Sequence, residues 1–378
     1  MPNANQASAG VGALKEVLPG IRALGDLEAA EKVVKRCSGG STVMVCVIGS
    51  TEISRVPGIS AAGKTPESTF HTPAGDVELI YYDRIINAEE VPQNPVGAPS
   101  PAVITKAVVN LASIPFLTVD AGAAVKPACP YIDLGGEVAR DFREGPALSE
   151  ETYDRLLEFG KTLGKELTRD VDFLTVGESV PGGTTTAMAV MTALGYETSE
   201  KFASSSHDSP HDIKERVVKE GLEAQGVEPG DLDAHEAIRR FGDPMMPAVV
   251  GIIYGSRTPV LLAGGTQMAP ILAYLAEEGQ LDPERVFVGT TKYVVEDEDS
   301  DIESLFRQVG DYVLFSADPG FSESKFRGFR LYEEGYVKEG VGAGGAQVAA
   351  ALKTKGEITP KDVLRECERV YERWMDKF

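Results

Sequence analysis

Short, almost uninterrupted runs of apolar and β-branched residues recur along this chain and constrain its fold most strongly. Strands that are buried on both faces of a sheet have this composition, because they lack the polar and apolar alternation of half-exposed strands. We predict such strands at residues 43–48, 77–82, 116–120, 173–176, 260–263, 286–288 and 312–316. The pattern therefore indicates a mostly parallel sheet that is covered on both faces.

Segments with helical composition separate these strands. We expect helices at residues 26–36, 101–112, 150–168, 184–194, 211–225, 244–255, 267–278, 343–353 and 360–376. The alternation predicts a doubly wound, three-layer α/β fold of the Rossmann-like kind, with ligands at the carboxyl edge of the sheet. The terminal helices have no neighbouring strand. We therefore predict an α/β domain at residues 39–356 and a small helical subdomain formed by residues 1–38 and 357–378.

The charge of the chain excludes some classes of partner. With 58 acidic and 37 basic residues the net charge is −21, which argues against nucleic acid or an anionic membrane as a main partner. No apolar run approaches the ~20 residues that span a bilayer, and the polar N-terminus lacks the pattern of a secretory signal. The four cysteines form no C-x-x-C pair, so we expect a reducing, cytoplasmic location.

The most informative local pattern lies at residues 172–190. A buried strand ends at Gly177 and brings a carboxylate, Glu178, to the edge of the sheet. The backbone N–H groups and the positive end of the helix that follows can bind a phosphate. An ordinary turn between a strand and a helix uses the same residue types, so both interpretations stay open. The candidate phosphate ligands in this turn and helix start are Gly182, Gly183, Thr184 and Thr185.

Two further segments could complete a phosphate site. Residues 261–268 contain a second strand and glycine turn, with Gly264 and Gly265 in the turn. Two such turns at one sheet edge could hold the phosphate and ribose of a nucleotide between them. Lys214, in the helix expected at residues 211–225, offers a counter-charge for a phosphate.

Two other patterns invite a metal site, and we interpret neither as one. His207 and His211 are four residues apart, but Pro210 interrupts the helix that would align them. That segment is better interpreted as a hydroxyl-rich loop and helix N-cap. The acidic run at residues 296–303 is most simply a solvated loop or a helix start.

Glu339 stands beside a run of small residues, 340–346. A carboxylate in such a position can lose part of its hydration, which raises its pKa and suits it to accept a proton as a general base. A surface glutamate before a tightly packed helix would have the same pattern.

Residues 58–65 match the P-loop pattern G-x-x-x-x-G-K-[ST]. The context is wrong, because Gly58 does not directly follow a strand and Pro66 interrupts the helix that should come next. We interpret the match as a coincidental loop and keep a P-loop NTPase as a minor alternative.

The segments at residues 177–185, 214–218, 241–255, 259–265 and 339–343 occur in an order and spacing that together resemble one family. That family is the nicotinate-nucleotide:dimethylbenzimidazole phosphoribosyltransferases. The chain resembles more closely a divergent, largely archaeal and cyanobacterial branch of it, whose function is poorly assigned. The resemblance runs from about residue 42 to residue 356.

The resemblance implies an enzyme that moves phosphoribose from nicotinate mononucleotide to a ring nitrogen of an aromatic base and releases nicotinate, in the synthesis of the lower ligand of cobamides. It implies a homodimer that requires neither a metal nor another cofactor. Glu339 matches the general base of the family, and Glu178 matches a second acidic position near the sugar. The matched binding positions are Gly182, Gly183, Thr184, Thr185 and Lys214 for the phosphate, and Gly264 and Gly265 for the second glycine turn.

The chain departs from the family where the acceptor pocket is formed. The Asp-His-Gly-Val stretch after the first strand is replaced at residues 49–54, and the Pro-Gly-Ser-Leu-Gly segment near the N-terminus is not recognisable. A base other than dimethylbenzimidazole, or another class of acceptor, is therefore an alternative. A non-catalytic nucleotide-binding or regulatory protein of the same fold is a further alternative function.

Overall fold

A central sheet organises the fold. The computed structural model describes residues 14–63, 65–87, 97–202 and 211–375, which contain a nine-stranded sheet. In chain order, β1 to β9 are Lys15–Leu18, Ile21–Gly25, Thr42–Gly49, Phe116–Gly122, Tyr131–Asp133, Phe173–Ser179, Val260–Ala263, Val286–Thr291 and Val313–Ala317. Their order across the sheet is β1-β2-β9-β8-β7-β6-β3-β4-β5. The strands β3 to β9 pair in parallel, while the β1–β2 hairpin joins β9 antiparallel.

Helices cover both faces of the sheet. In chain order, α1 to α14 are Leu27–Cys37, Thr72–Tyr82, Ala102–Leu111, Glu150–Leu167, Gly183–Ala193, His211–Gln225, Ala234–Phe241, Met245–Gly255, Ala269–Glu277, Lys292–Val295, Ile302–Val309, Arg327–Glu333, Ala343–Thr354 and Pro360–Met375. One apolar core lies beneath α4 to α9 and α11, and another lies beneath α1 to α3 and α12 to α14. The predicted doubly wound, mostly parallel α/β class is therefore confirmed. No helix in the described ranges is long and apolar enough to cross a bilayer.

The strand β3 shows how the sequence places the candidate site. All eight of its residues are buried, as its apolar, β-branched composition predicts. It pairs with β4 on one side and β6 on the other. From β3 the sheet extends through β4 and β5 in one direction and through β6 to β9 in the other. The carboxyl ends of β3 and β6 therefore flank a topological switch point, where ligands bind in open α/β sheets.

The strand predicted at residues 77–82 is wrong, because those residues belong to α2. Pro73 lies in the first turn of α2, where its missing N–H costs no hydrogen bond. Most of the helix is buried on every side, so its short apolar run does not carry a helical period. Sequence patterns also do not predict β1, β2 and β5, nor the helices α7 and α10 to α12.

The predicted terminal helices are present as α1 and α14, but the described segment that precedes α1 is not helical. Residues 15–25 form the β1–β2 hairpin at the edge of the main sheet. Helix α1 packs on β2 and β9, and α14 packs on α3, within the same helical layer. The division into domains at residues 39 and 356 stays a prediction.

Candidate active site

One pocket at the carboxyl edge of the sheet brings together most of the candidate residues. Thr185 and Gly264 do not line it: Thr185 is buried in α5, and the N–H of Gly264 donates to the carbonyl of Gly289 on β8 at 3.0 Å. The predicted site residues that do line the pocket are Glu178, Gly182, Gly183, Thr184, Lys214, Gly265 and Glu339. Residues that are far apart in the sequence thus converge at the switch point.

The start of α5 forms one wall of the pocket. Gly182 precedes the helix with φ of 82°, a left-handed conformation that favours glycine. A Cβ at this position would also lie only 3.1 Å from the backbone nitrogen of Ser54. No side chain caps the N-terminus of α5. Its positive end therefore faces the pocket, as expected of a phosphate-binding helix.

Lys214 supplies positive charge beside this helix end. It comes from α6, is 4% exposed, and donates to the hydroxyl of Thr184 at 3.3 Å. Burial, with a smaller contribution from Lys338, lowers the pKa of Lys214 to about 8, while Asp297 opposes the change. An anion that enters the pocket would restore the charged form, because an opposite charge favours ionisation.

The second glycine turn lies across the pocket from α5. Gly265 precedes a short 3₁₀ helix, Thr266–Met268, and a Cβ at this glycine would lie 3.5 Å from its nearest neighbour, Val294. Gln267 of this helix lies close to Gly183, so the two turns approach each other. The arrangement places both turns around one pocket, as two turns that hold one nucleotide would require.

Glu339 is held at the pocket by backbone and hydroxyl donors. Its Oε2 accepts from the N–H of Thr291 at 2.8 Å and from the hydroxyl of Thr290 at 3.1 Å. The N–H groups of Gly340 and Gly344 also donate to the carboxylate, at 3.1 and 3.2 Å respectively. Burial nevertheless raises the pKa of Glu339, although these backbone donors act in the opposite direction. The group is therefore oriented and poised to accept a proton.

The backbone around Glu339 is strained. Val337, two residues before it, and Val341, two residues after it, have φ of 53° and 55°. β-branched residues seldom adopt this left-handed conformation, which costs on the order of 1–3 kcal/mol at each position. The surrounding packing must enforce this conformation, and strain of this kind occurs often at functional sites.

Glu178 lies at the end of β6 and is 1% exposed. Its Oε2 accepts from the N–H of Val180 at 3.0 Å. Burial, followed by repulsion from Asp243 and Glu339, raises the pKa of Glu178 to about 8. At neutral pH this carboxyl is therefore mostly protonated and can donate a hydrogen bond.

Sequence reasoning missed a third carboxylate in the pocket, Asp76 of α2. It is 3% exposed and accepts from the hydroxyls of Ser100 and Ser179 at 2.7 and 2.8 Å. Burial raises the pKa of Asp76 to about 6, against these two hydrogen bonds. Two acidic residues, Asp76 and Glu78, within an otherwise largely apolar helix were the available signal, and assigning residues 77–82 to a strand obscured it.

Asp243 lies behind the pocket and supports α5. It is fully buried and accepts from the hydroxyl of Thr186 at 2.7 Å. Burial raises the pKa of Asp243 to about 6.

The P-loop-like segment borders the pocket without the architecture of a P-loop. A short 3₁₀ helix, Glu52–Arg55, separates it from β3, and another, Glu67–His71, follows it. Lys64 lies outside the described residues, as does His207. Within the described ranges no group of three or more His, Cys, Asp or Glu side chains could hold a metal ion.

Comparison with known proteins gives the class of this chain. The model of a family described as Phosphoribosyltransferase matches residues 103–280. The fold is similar to the crystal structure of a nicotinate-nucleotide-dimethylbenzimidazole phosphoribosyltransferase from Thermus thermophilus. That similarity has a TM-score of 0.58 at 16% sequence identity, and it covers 86% of this chain and 88% of the other. These two matches indicate the phosphoribosyltransferase class, through one segment of the chain and through its fold.

Curated relatives identify the branch. A UPF0284 protein of Pyrococcus furiosus is 44% identical over 335 residues, which are 88% of this chain and 98% of the relative. UPF0284 proteins of Sulfolobus acidocaldarius and Methanothermobacter thermautotrophicus are also 44% identical, over 88% and 93% of this chain and 95% and 97% of the relatives. The chain belongs to the UPF0284 family, and its central segment and fold resemble those of the phosphoribosyltransferases.

Proposed function

We propose that this protein transfers phosphoribose from nicotinate mononucleotide to a ring nitrogen of an aromatic base and releases nicotinate, in the synthesis of the lower ligand of cobamides. The observation that carries the proposal is the meeting of Glu339 and Glu178, both with raised pKa values, in one pocket with the α5 N-terminus and Lys214. This combines a proton acceptor with a site for the phosphate of the donor.

The proposed chemistry assigns a role to each group. The bond between C1′ of the ribose and the pyridine nitrogen breaks, and its electron pair leaves with nicotinate. The in-plane lone pair of the unprotonated ring nitrogen forms the new bond to C1′, and the proton of the azole N–H passes to Glu339, which leaves the product base neutral. Glu178 faces the sugar, where its protonated form donates a hydrogen bond and its ionised form would favour positive charge that develops at C1′. Gly182, Gly183, Thr184 and Lys214 hold the phosphate, with Gly265 at the ribose. Thr185 and Gly264, which do not line the pocket, support the two turns from behind.

The acceptor side is assigned to the wall that contains Asp76 and Ser100. This wall also includes residues 59–62, which follow the segment that departs from the family pattern. Because this wall presents a buried carboxylate, we expect it to favour an acceptor base that has an N–H donor over an acceptor whose edge is purely hydrocarbon. Dimethylbenzimidazole is therefore one candidate among several bases.

The test is nicotinate release from nicotinate mononucleotide in the presence of a panel of bases, including dimethylbenzimidazole, simpler benzimidazoles, adenine and phenolics. We expect release that depends on one base, and loss of at least about 10²-fold in kcat for Glu339→Gln. Glu357→Gln, at an exposed glutamate, is the matched control. Near-normal turnover of Glu339→Gln would refute the role of the base.

A non-catalytic nucleotide-binding or regulatory protein is the main alternative. It would bind the mononucleotide saturably in calorimetry, yet no base would produce nicotinate. A P-loop NTPase is the weaker alternative, because residues 58–65 follow a 3₁₀ helix instead of a strand.

We also propose that the enzyme is a cytoplasmic homodimer that acts on small molecules without nucleic acid, a membrane, a metal or a cofactor. The edge strand β5 supports association, since Tyr131 and Ile132 are 38% and 37% exposed there and strand edges favour pairing. Sedimentation equilibrium measures this directly, and a monomer at micromolar concentration would contradict it.

A further inference from the structure

A second lysine, Lys338, lies in the pocket. It directly precedes Glu339 and lines the pocket together with Lys214. Its side chain is 3% exposed, and its Nζ lies 2.6 Å from Oδ1 of Asp297, which is itself 4% exposed. This charge pair lacks hydrogen-bond geometry, and Nζ has no hydrogen-bond acceptor among the described residues. A lysine ammonium has three N–H donors, so Lys338 retains donors for an acceptor that enters the pocket.

Asp297 is fixed in place by its own segment. Its Oδ2 accepts from the hydroxyl of Ser300 at 2.6 Å, and its Oδ1 accepts from the N–H of Asp299 at 3.2 Å. The acidic run at residues 296–303 is therefore more than a solvated loop, because it places one buried carboxylate against Lys338. A buried ion pair contributes little net stability, since desolvation offsets its attraction. Stability alone therefore does not account for this pair.

We propose that Lys338, held by Asp297, is a second cation for the 5′-phosphate of the donor and selects a phosphorylated substrate. This inference rests on the proposed function and extends it. Lys338 is close enough to Lys214 to disfavour its charged form, and Lys214 reaches the start of α5 through Thr184. A phosphate placed between the two lysines would accept charge-assisted hydrogen bonds from both ammonium groups.

The same residue connects the phosphate site to the base. The hydroxyl of Thr291 donates to the carbonyl oxygen of Lys338, and the N–H of Thr291 donates to Glu339 at 2.8 Å. Contact between Lys338 and the phosphate would therefore steady the backbone that carries Glu339. Lys338 is a binding and positioning residue in this scheme, and Glu339 remains the proton acceptor.

The test compares ligands by calorimetry, independently of turnover. The variants are Lys338→Met and the double variant Lys338→Met/Asp297→Asn, which leaves no unpaired buried carboxylate if the single variant does not fold. Lys219→Met, at a lysine whose side chain is 76% exposed, is the control. The ligands are nicotinate mononucleotide, nicotinamide mononucleotide, nicotinate riboside and inorganic phosphate.

Loss of Lys338 should weaken both mononucleotides roughly 10- to 100-fold, the range for one hydrogen bond to a charged group. It should change the affinity for the riboside less than about twofold, and Lys219→Met should match the wild type. Equal mononucleotide affinity in wild type and variant would overturn the inference. A loss confined to nicotinate mononucleotide would also overturn it, by assigning Lys338 to the pyridine carboxylate. If no base yields nicotinate while these binding differences persist, the proposed reaction fails and the phosphate assignment stands.

Discussion

Replacing Gly344 by alanine sets two effects on stability against each other: the higher helix propensity of alanine and the loss of the close packing that holds Glu339. Gly344 is in the first turn of α13, where alanine would ordinarily stabilise a helix by about 0.5–1 kcal/mol. A Cβ at this position, however, would lie 2.0 Å from the carbonyl carbon of Thr290 and 2.1 Å from the nitrogen of Thr291. Both are backbone atoms of β8, so α13 would have to move by more than an ångström.

The displacement would break the contacts that orient the base. Gly344 and Thr291 both donate to Glu339, and each hydrogen bond to a charged group contributes about 1.5–3 kcal/mol. Overpacking adds about 1–3 kcal/mol. We therefore expect Gly344→Ala to lower the free energy of unfolding by roughly 4–9 kcal/mol. Losing these donors would also raise the pKa of Glu339 further, since they favour its ionised form.

Urea denaturation measures the first effect, and the pH profile of kcat/KM measures the second. Because Glu339, as the proposed base, works when ionised, the acid limb of that profile should move to higher pH. For the stability measurement the control is Gly265→Ala, whose Cβ would lie 3.5 Å from its nearest neighbour. A Gly344→Ala protein as stable as the wild type, or more stable, would show that the packing argument is wrong.

Two further predictions concern the other carboxyl groups in the pocket. Glu178 has a folded-state pKa of about 8, against an ordinary value of 4.5. Between pH 4.5 and pH 8 the folded protein therefore binds more protons than the unfolded protein. The stability of the folded protein should fall as the pH rises through that range. Thermal denaturation should show a smaller fall for Glu178→Gln, and an unchanged slope would contradict the buried, protonated state. Asp76→Asn should raise the KM for the acceptor base by about tenfold, because one hydrogen bond to a charged group is lost, while the KM for the mononucleotide changes little. Steady-state kinetics with each substrate varied in turn measures both values. An equal effect on the two KM values would show that Asp76 does not belong to the acceptor wall.

The parts of the fold that the sequence predicts are those in which local composition and tertiary environment agree. The strands β3 and β6 to β9 are apolar because both faces of the sheet are covered, and the glycines at 182 and 183 mark a real helix start. Helix α2 fails this test, because burial on all sides removes its amphipathic period. The hairpin β1–β2 fails for a different reason. Its strands are four and five residues long and pair with β9, a partner that lies near the other end of the chain.

The candidate site divides in the same way. The turn before α5 can be recognised locally, since its function depends on backbone N–H groups that glycine exposes. Asp76 and Lys338 cannot be recognised locally, because their partners are distant in the sequence and only the fold brings them close. Asp76 contacts Ser179, and Lys338 contacts Asp297. The small residues after Glu339 and the family resemblance both indicate it from the sequence, but its donors Thr290 and Thr291 lie on β8, which only the fold brings close.

The site also explains how a chain with net charge −21 could bind an anionic nucleotide. Burial moves the pKa of Glu178 up to about 8 and that of Lys214 down to about 8, so both groups spend part of their time uncharged when the pocket holds no substrate. The proposed donor carries a phosphate and a pyridinium, charges of opposite sign at its two ends. The phosphate would favour the charged form of Lys214, and the pyridinium would favour the charged form of Glu178. A nucleotide with an uncharged base would affect only Lys214 in this way.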